Sequence, residues 1–164
     1  MRQDNHTISL FVANKPGVLL RVCLIFARRG FNIESLVVSS ALDGKFSRMT
    51  ITAQGAHETL DQIIKQANKL VDVVHCCEHT EIDSVDIELA LIKVGISAAN
   101  RAELLQIVEH FKAETLDLTQ ESLIINIYGP TERINACLDM LAPYKLLELV
   151  RTGKMVMAKG KEQT

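Results

Sequence analysis

The chain has 164 residues, of which 48% are hydrophobic, and its formal net charge at pH 7 is −2. This length and apolar content suit one ordinary domain or two small ones. The slightly acidic charge argues against nucleic-acid binding, which requires a clustered basic face. No apolar run reaches the roughly 20 residues that span a bilayer, and the polar start lacks a signal core. We therefore expect a cytoplasmic protein that binds neither nucleic acid nor membrane.

The first half of the chain alternates strand and helix patterns in the order β-α-β-β-α-β. Pro16 is predicted to take the first helical position, and Gly30 the left-handed conformation that ends the helix. Asp43 and Gly44 are predicted to turn an antiparallel hairpin. The predicted strands cover residues 7–13, 33–40, 46–53 and 71–77, and helical spacing of apolar residues covers 18–26 and 60–70.

The second half repeats the pattern. Asn100 and Glu103 have the spacing of a capping box at a helix start. Strands are predicted at 85–96, 115–119, 123–128 and 146–151, with an extra edge strand at 155–158, and helical spacing covers 104–111 and 134–141. The predicted fold class is α+β, with two tandem ferredoxin-like βαββαβ domains at residues 1–79 and 80–164. Domains this small are expected to pack on each other or on a second subunit.

The loop that enters the first predicted helix has the chemistry to hold an amino acid. Helix-start amides lack intrahelical partners and attract a carboxylate, while asparagine oxygens accept hydrogen bonds from an ammonium group. An apolar wall beside them would select an aliphatic side chain. The candidate effector-binding residues are Asn14, Gly17, Val18, Leu19, Asn32 and Ile33. Taken alone, a stretch such as Asn14 to Gly17 is most often a plain turn and helix cap, and an asparagine shortly after a glycine, such as Asn32, is usually a turn residue.

Several longer strings make the first half resemble the ACT domain of the regulatory small subunit of acetolactate synthase, also called acetohydroxyacid synthase. These strings are NKPGVLLRV at residues 14–22, RGFNIESL at 29–36, SRMTI at 47–51 and KLVDV at 69–73. In the second half, residues 88–94, 116–118 and 151–153 are similar to the C-terminal domain of that family. The similarity therefore covers nearly the whole chain, and its GFNIESL string is specific among ACT proteins.

This resemblance implies a non-catalytic regulatory subunit. In that family the small subunit activates a catalytic large subunit and confers feedback inhibition, most commonly by valine, in the biosynthesis of valine, leucine and isoleucine. The effector lies between the ACT domains of a homodimer, so Asn14, Gly17, Val18 and Leu19 would come from one subunit, and Asn32 and Ile33 from the other. Thiamine diphosphate, magnesium and FAD are expected in the catalytic partner, and no cofactor in this chain.

Some positions differ from the family pattern. Ala13 replaces an acidic residue that often precedes the asparagine, and residues 37–40 replace a threonine-containing strand. Leucine or isoleucine therefore stay open as effectors, and a sensor serving a different enzyme is the nearest alternative function.

Two other kinds of site were weighed. On an extended strand His75, Cys77 and His79 would point the same way and suit zinc, although no fourth ligand is identifiable. A core role for the cysteines is the simpler interpretation, and no metal or catalytic residue is predicted. An RNA-binding sheet is disfavoured because aromatic residues make up only 4% of the chain, and Phe11 and Phe46 form no stacking signature.

Overall fold

The computed structural model describes residues 4–80 and 82–161, which form nine strands and four helices. Contacts divide these residues into two units, one of residues 4–86 with 153–161 and one of residues 87–152. The predicted boundary between residues 79 and 80 stays a prediction, since contacts group 80–86 and 153–161 with the first unit. In the part of the chain that is described, no helix is both long and apolar enough to cross a membrane.

The first unit is a four-stranded antiparallel sheet with two helices, in the strand order β2-β3-β1-β4. Its elements are β1 (Asp4–Ala13), α1 (Val18–Ala27), β2 (Asn32–Ser40), β3 (Phe46–Gly55), α2 (His57–Ala67) and β4 (Val73–His79). The predicted order β-α-β-β-α-β is confirmed. The last strand begins later than predicted because Val73 N donates to Leu70 O in a turn, which leaves Val71 fully exposed.

Alternation along the strands places the core of the first unit. Ile8, Leu10 and Val12 occupy every second position of β1 and are each at most 1% exposed. Helix α1 covers this face with Phe26, and α2 covers it with Leu60, both fully buried. The apolar face of the sheet and the apolar stripes of the helices therefore form one core.

Helix α1 ends as predicted but begins two residues later than predicted. At its end Gly30 has φ 69°, Gly30 N donates to Ala27 O, and Phe31 N donates to Phe26 O, both at 3.1 Å. This is a Schellman motif, stabilised by burial of both phenylalanines. At its start Gly17 has φ 82° and ψ −8°, so the helix begins at Val18 and the predicted helical position of Pro16 is wrong.

The second unit repeats the topology, in the order β6-β7-β5-β8. Its elements are β5 (Ser84–Gly95), which begins in the first unit, α3 (Arg101–His110), β6 (Glu114–Leu118), β7 (Ser122–Gly129), α4 (Thr131–Leu141) and β8 (Leu146–Arg151). The extra strand predicted near the C-terminus is confirmed as β9 (Met155–Ala158), which pairs with β5.

The predicted capping box at the start of α3 is wrong. Asn100 Oδ1 accepts hydrogen bonds from Ser97 N at 2.7 Å and Ser97 Oγ at 3.2 Å, so it turns back to the preceding loop. Glu103 Oε2 instead accepts a hydrogen bond from the Tyr144 hydroxyl at 3.0 Å. Asn100 has φ −109° and ψ −2°, outside the extended region from which a capping side chain reaches the next turn.

An ion pair between the buried Glu88 and the solvent-accessible Arg151 connects β5 to β8 in the second unit. Arg151 Nε donates to Glu88 Oε1 at 2.7 Å and Arg151 Nη2 donates to Glu88 Oε2 at 2.8 Å. Thr131 Oγ1 donates to Glu88 Oε2 at 3.1 Å, and Glu88 is only 4% exposed. The hydrogen bond with Glu88 raises the pKa of Arg151 above its usual value. Glu88 and Arg151, which begin two of the family-like strings of the second half, thus form an ion pair.

Replacing Arg151 by methionine should lower the free energy of unfolding by about 3 kcal/mol, because it leaves the Glu88 carboxylate buried without its counter-charge. Denaturant unfolding of the full chain measures this change. Arg101→Met is the matched control, since Arg101 makes an exposed hydrogen bond to Thr119 O and should cost less than about 1 kcal/mol. Equal losses in the two variants would contradict the importance of the pair.

Candidate functional site

The start of α1 presents backbone donors to solvent. The amides of Gly17 and Leu19 have no hydrogen-bond partner among the described residues, and Val18 N donates only a long bond of 3.4 Å to Lys15 O. Gly17 and Leu19 are exposed, whereas the Val18 side chain is buried. The three predicted residues therefore form one group of donors suited to a carboxylate.

Asn14 lies just before these donors and is anchored to the β2–β3 hairpin. Its backbone N donates to Lys45 O at 2.8 Å, and its Nδ2 donates to Gly44 O at 3.1 Å. The side-chain oxygen of Asn14 has no partner within residues 4–80 and 82–161 and is free to accept a hydrogen bond from an ammonium group. The loop conformation therefore presents the predicted acceptor beside the predicted donors.

Arg21 is a charged residue at this site that was not predicted. Its Nη2 lies 2.5 Å from Asp72 Oδ2, and its Nη1 lies 4.0 Å from the place where a Cβ on Gly17 would stand. The guanidinium thus adds positive charge beside the free amides. Arg21 follows Gly17 by four positions, one helical turn, and this spacing was the signal that could have revealed it.

Asn32 and Ile33 lie at the first residues of β2. Asn32 is exposed, and its Nδ2 donates to the Glu34 carboxylate. Ile33 is half-buried and packs against the core of the first unit. The pair combines an accessible asparagine with a half-buried apolar side chain, and its role in effector binding stays a prediction.

The two predicted halves of the effector site do not meet within one chain. Asn14 bonds to Lys45 and Gly44, just before β3 begins, whereas Asn32 pairs with Gln54 near the end of β3. The nine residues of extended chain from Lys45 to Gln54 span roughly 30 Å at about 3.4 Å per residue. Asn14, Gly17, Val18 and Leu19 thus lie at one end of the sheet, and Asn32 and Ile33 at the other.

Two of the three possible zinc ligands on β4 contact a serine. His79 Nε2 lies 2.6 Å from Ser9 Oγ, and Cys77 Sγ lies 3.5 Å from the same oxygen. His75 is exposed on the same strand. Among the described residues, the group with three potential metal ligands close together is a different one, which includes Glu78.

Ser9, His79 and Asp83 have the residue types of a nucleophilic triad without its geometry. His79 Nδ1 lies 3.9 Å from Asp83 Oδ1, beyond hydrogen-bond length, and Ser9 is 2% exposed. Burial lowers the pKa of His79, and the opposing charge of Asp83 does not offset it. A substrate could not reach the serine hydroxyl, and these residues support the packing of β1 against β4.

The buried cysteines are equally poor nucleophiles. Burial raises the pKa of the Cys76 thiol to about 12 and that of Cys137 to about 11. A thiol attacks as the thiolate, so these side chains act as small hydrophobic residues of the two cores.

An aromatic contact on the sheet was also not predicted. The rings of Phe11 and Phe46 stack with centroids 5.0 Å apart, and the Arg48 guanidinium lies 5.0 Å from the centre of the Phe11 ring. RNA-binding sheets present separate rings to successive bases. Here the rings contact each other, so the contact stabilises the pairing of β1 with β3.

Comparisons with known proteins find the same protein family in both units of the chain. A family model described as an AHAS small subunit-like ACT domain matches residues 8–75, and one described as the small subunit of acetolactate synthase matches residues 87–160. A probable acetolactate synthase small subunit of Archaeoglobus fulgidus is 42% identical over 158 residues, 96% of this chain and 99% of that protein. The small subunit of Mycolicibacterium smegmatis is 43% identical over 155 residues, 94% of this chain and 91% of that protein.

A solved structure gives the same result. The crystal structure of the acetolactate synthase small subunit of Thermotoga maritima has a TM-score of 0.86 and 37% identity, covering 97% of this chain and 99% of that one. Sequence and fold thus match along the full length of both proteins. The chain therefore belongs to the family of acetolactate synthase small subunits.

Proposed function

We propose that this chain is a regulatory subunit that activates the catalytic large subunit of acetolactate synthase and makes it sensitive to a branched-chain amino acid, valine in the first instance. Family membership along the whole chain supports the pairing with a large subunit. Thiamine diphosphate, magnesium and FAD belong to the large subunit in this proposal, and this chain contributes regulation alone.

The observation that carries the proposal is the separation of the two half-sites along one sheet. Asn14 lies beside Lys45, and Asn32 lies opposite Gln54, at the far end of β3. Two chains related by a twofold axis can place the Asn14 end of one against the Asn32 end of the other, because a twofold interface pairs each patch with its counterpart in both directions. A homodimer formed through the ACT domain then holds two equivalent pockets.

The residues of such a pocket match each part of free valine. The unpaired amides at Gly17 and Leu19 would donate to the carboxylate, aided by the partial positive charge at the start of α1. The oxygens of Asn14 and Asn32 would accept hydrogen bonds from the ammonium group. Ile33 would contact the isopropyl group. Each polar group of the ligand would then have a hydrogen-bond partner.

Regulation follows from where the effector binds. An amino acid that contacts both chains binds the closed dimer more tightly than the open one and shifts the population towards it. By linkage, a catalytic subunit that binds one of these states preferentially changes its activity with effector concentration.

Gly17→Asp should abolish valine binding, because the new carboxylate would repel the carboxylate of the ligand at the start of α1. Aspartate and asparagine adopt the left-handed conformation of Gly17 more readily than other side chains, so the strain is shared by both variants, and a Cβ there meets only Arg21 Nη1 at 4.0 Å. Titration calorimetry measures valine binding, and sedimentation confirms that the dimer persists. Gly17→Asn, which has the same size without the charge, should retain binding within a few-fold. Unchanged affinity in Gly17→Asp would refute this location of the carboxylate.

Asn32→Ala should weaken valine binding by about 1 to 3 kcal/mol, the usual cost of leaving a buried polar partner unsatisfied. The same calorimetric titration measures the effect. Glu34→Gln is the control, since Glu34 accepts the hydrogen bond from Asn32 Nδ2 but is assigned no contact with the ligand. If Asn32→Ala binds valine as the unmodified chain does, Asn32 is a turn residue only.

The purified chain should form no acetolactate from pyruvate with thiamine diphosphate and magnesium. Mixed with an acetolactate synthase large subunit, it should raise the rate of that subunit, and valine should lower the rate again. Pull-down of the large subunit and a colorimetric acetolactate assay measure both effects. Leucine and isoleucine in parallel titrations identify the effector, and turnover by this chain alone contradicts the regulatory role.

A further inference from the structure

Two imidazoles and one carboxylate meet at one end of the sheet of the first unit. His6 lies on β1, His57 is the first residue of α2, and Glu78 lies near the end of β4. Their ligand atoms all lie within 4.8 Å of one another. Residues 6 and 78 are far apart in sequence, and the antiparallel pairing of β1 with β4 brings them together.

The hydrogen bonds of His6 leave a lone pair facing the carboxylate. Its Nε2 lies 3.1 Å from Gly55 O, and a carbonyl oxygen only accepts, so Nε2 carries a proton. In the neutral ring Nδ1 then has a lone pair, and Nδ1 lies 2.7 Å from Glu78 Oε1. Two lone pairs cannot face each other at this distance, so the contact holds a proton, on Nδ1 or on the carboxyl group, which a metal ion bound by both groups would displace.

The position of His57 favours the metal ion over a simple ion pair. His57 Nδ1 lies 3.8 Å from Glu78 Oε2, too far for a hydrogen bond and close enough to share an ion. The rings of His6 and His57 have centroids 5.8 Å apart.

We propose that His6 Nδ1, His57 Nδ1 and the Glu78 carboxylate bind one divalent transition-metal ion of the zinc class, with solvent in the remaining position. Zinc in proteins takes nitrogen and carboxylate oxygen ligands at about 2.0 to 2.2 Å, which spaces tetrahedral ligand atoms about 3.4 Å apart. The observed separations, from 2.7 Å up to 4.8 Å, bracket that spacing.

One ligand is held rigidly and two can adjust. His6 is 5% exposed, and Gly55, which accepts its Nε2 proton, is itself packed so closely that a Cβ would lie 2.2 Å from the Phe31 ring. A backbone carbonyl that orients the second nitrogen of a histidine is a common feature of metal sites. The side chains of His57 and Glu78 are 62% and 26% exposed, so they can rotate onto an ion arriving from solvent.

Metal binding by the full chain tests this site. Protein without a histidine tag is stripped with a chelator and titrated with Zn²⁺ against a chromophoric chelator, and its metal content is measured by mass spectrometry. We expect one ion per chain. Co²⁺ in place of zinc should give a visible spectrum of a four-coordinate site without thiolate charge transfer, because no cysteine belongs to the proposed ligands.

Single substitutions distinguish this site from the alternative ligands His75, Cys77 and His79 on β4. His57→Gln should lower the zinc affinity at least tenfold, since loss of a residue that only orients a ligand already lowers metal affinity by about 10-fold or more. The His57 side chain is exposed, so this substitution should leave the fold intact. His75→Gln and Cys77→Ala should leave the affinity unchanged. Zinc should also raise the melting temperature of the unmodified chain but not that of His57→Gln.

Two results would overturn the proposal. One is the lack of stoichiometric zinc binding by the unmodified chain, which would leave His6 and Glu78 as an ion pair. The other is a loss of affinity in His75→Gln or Cys77→Ala while His57→Gln binds normally, which would place the ion on β4. Both results concern zinc alone, since none of the proposed effector residues belongs to the cluster, and valine binding is measured separately.

Discussion

The pairing of β1 on both sides is the constraint on which the first unit depends. β1 forms antiparallel ladders with β3 and with β4, and its alternate residues Ile8, Leu10 and Val12 are buried under the helices. A shift of one residue would exchange the core face for the polar face, so burial holds the register. Both ends of β1 are thereby placed, with His6 at one end and Asn14 just beyond the other.

That constraint has different consequences at the two ends. Beyond Asn14 the chain must turn into α1, and left-handed Gly17 makes the turn while leaving amides unpaired. At the other end, the ladder with β4 sets Glu78 against His6, a contact across 72 positions of sequence. The Asn14 half of the proposed effector site therefore lies at the opposite end of β1 from His6, whereas Asn32 and Ile33 pair with the same β3 residues as Asn5 and His6.

Local patterns predicted the fold because they depend on neighbours in sequence. The order of elements, the Gly30 motif and the edge strand at Met155–Ala158 are confirmed. Side-chain caps were less predictable, since the Asn100 side chain accepts its hydrogen bonds from Ser97 in the preceding loop instead of from the first turn of α3. The candidate effector residues stay a prediction, because Asn14 and Asn32 lie at different ends of β3 and do not meet within one chain.

By itself, the sequence determined the two βαββαβ units, their apolar faces and the family to which the chain belongs, because periodicity and motif spacing are local properties. Only the tertiary structure decided which distant residues meet. It paired Glu88 with Arg151, gathered His6, His57 and Glu78, and separated Asn14 from Asn32 along β3. Such contacts depend on strand register and on the ends of the sheet, which arise only when the core closes.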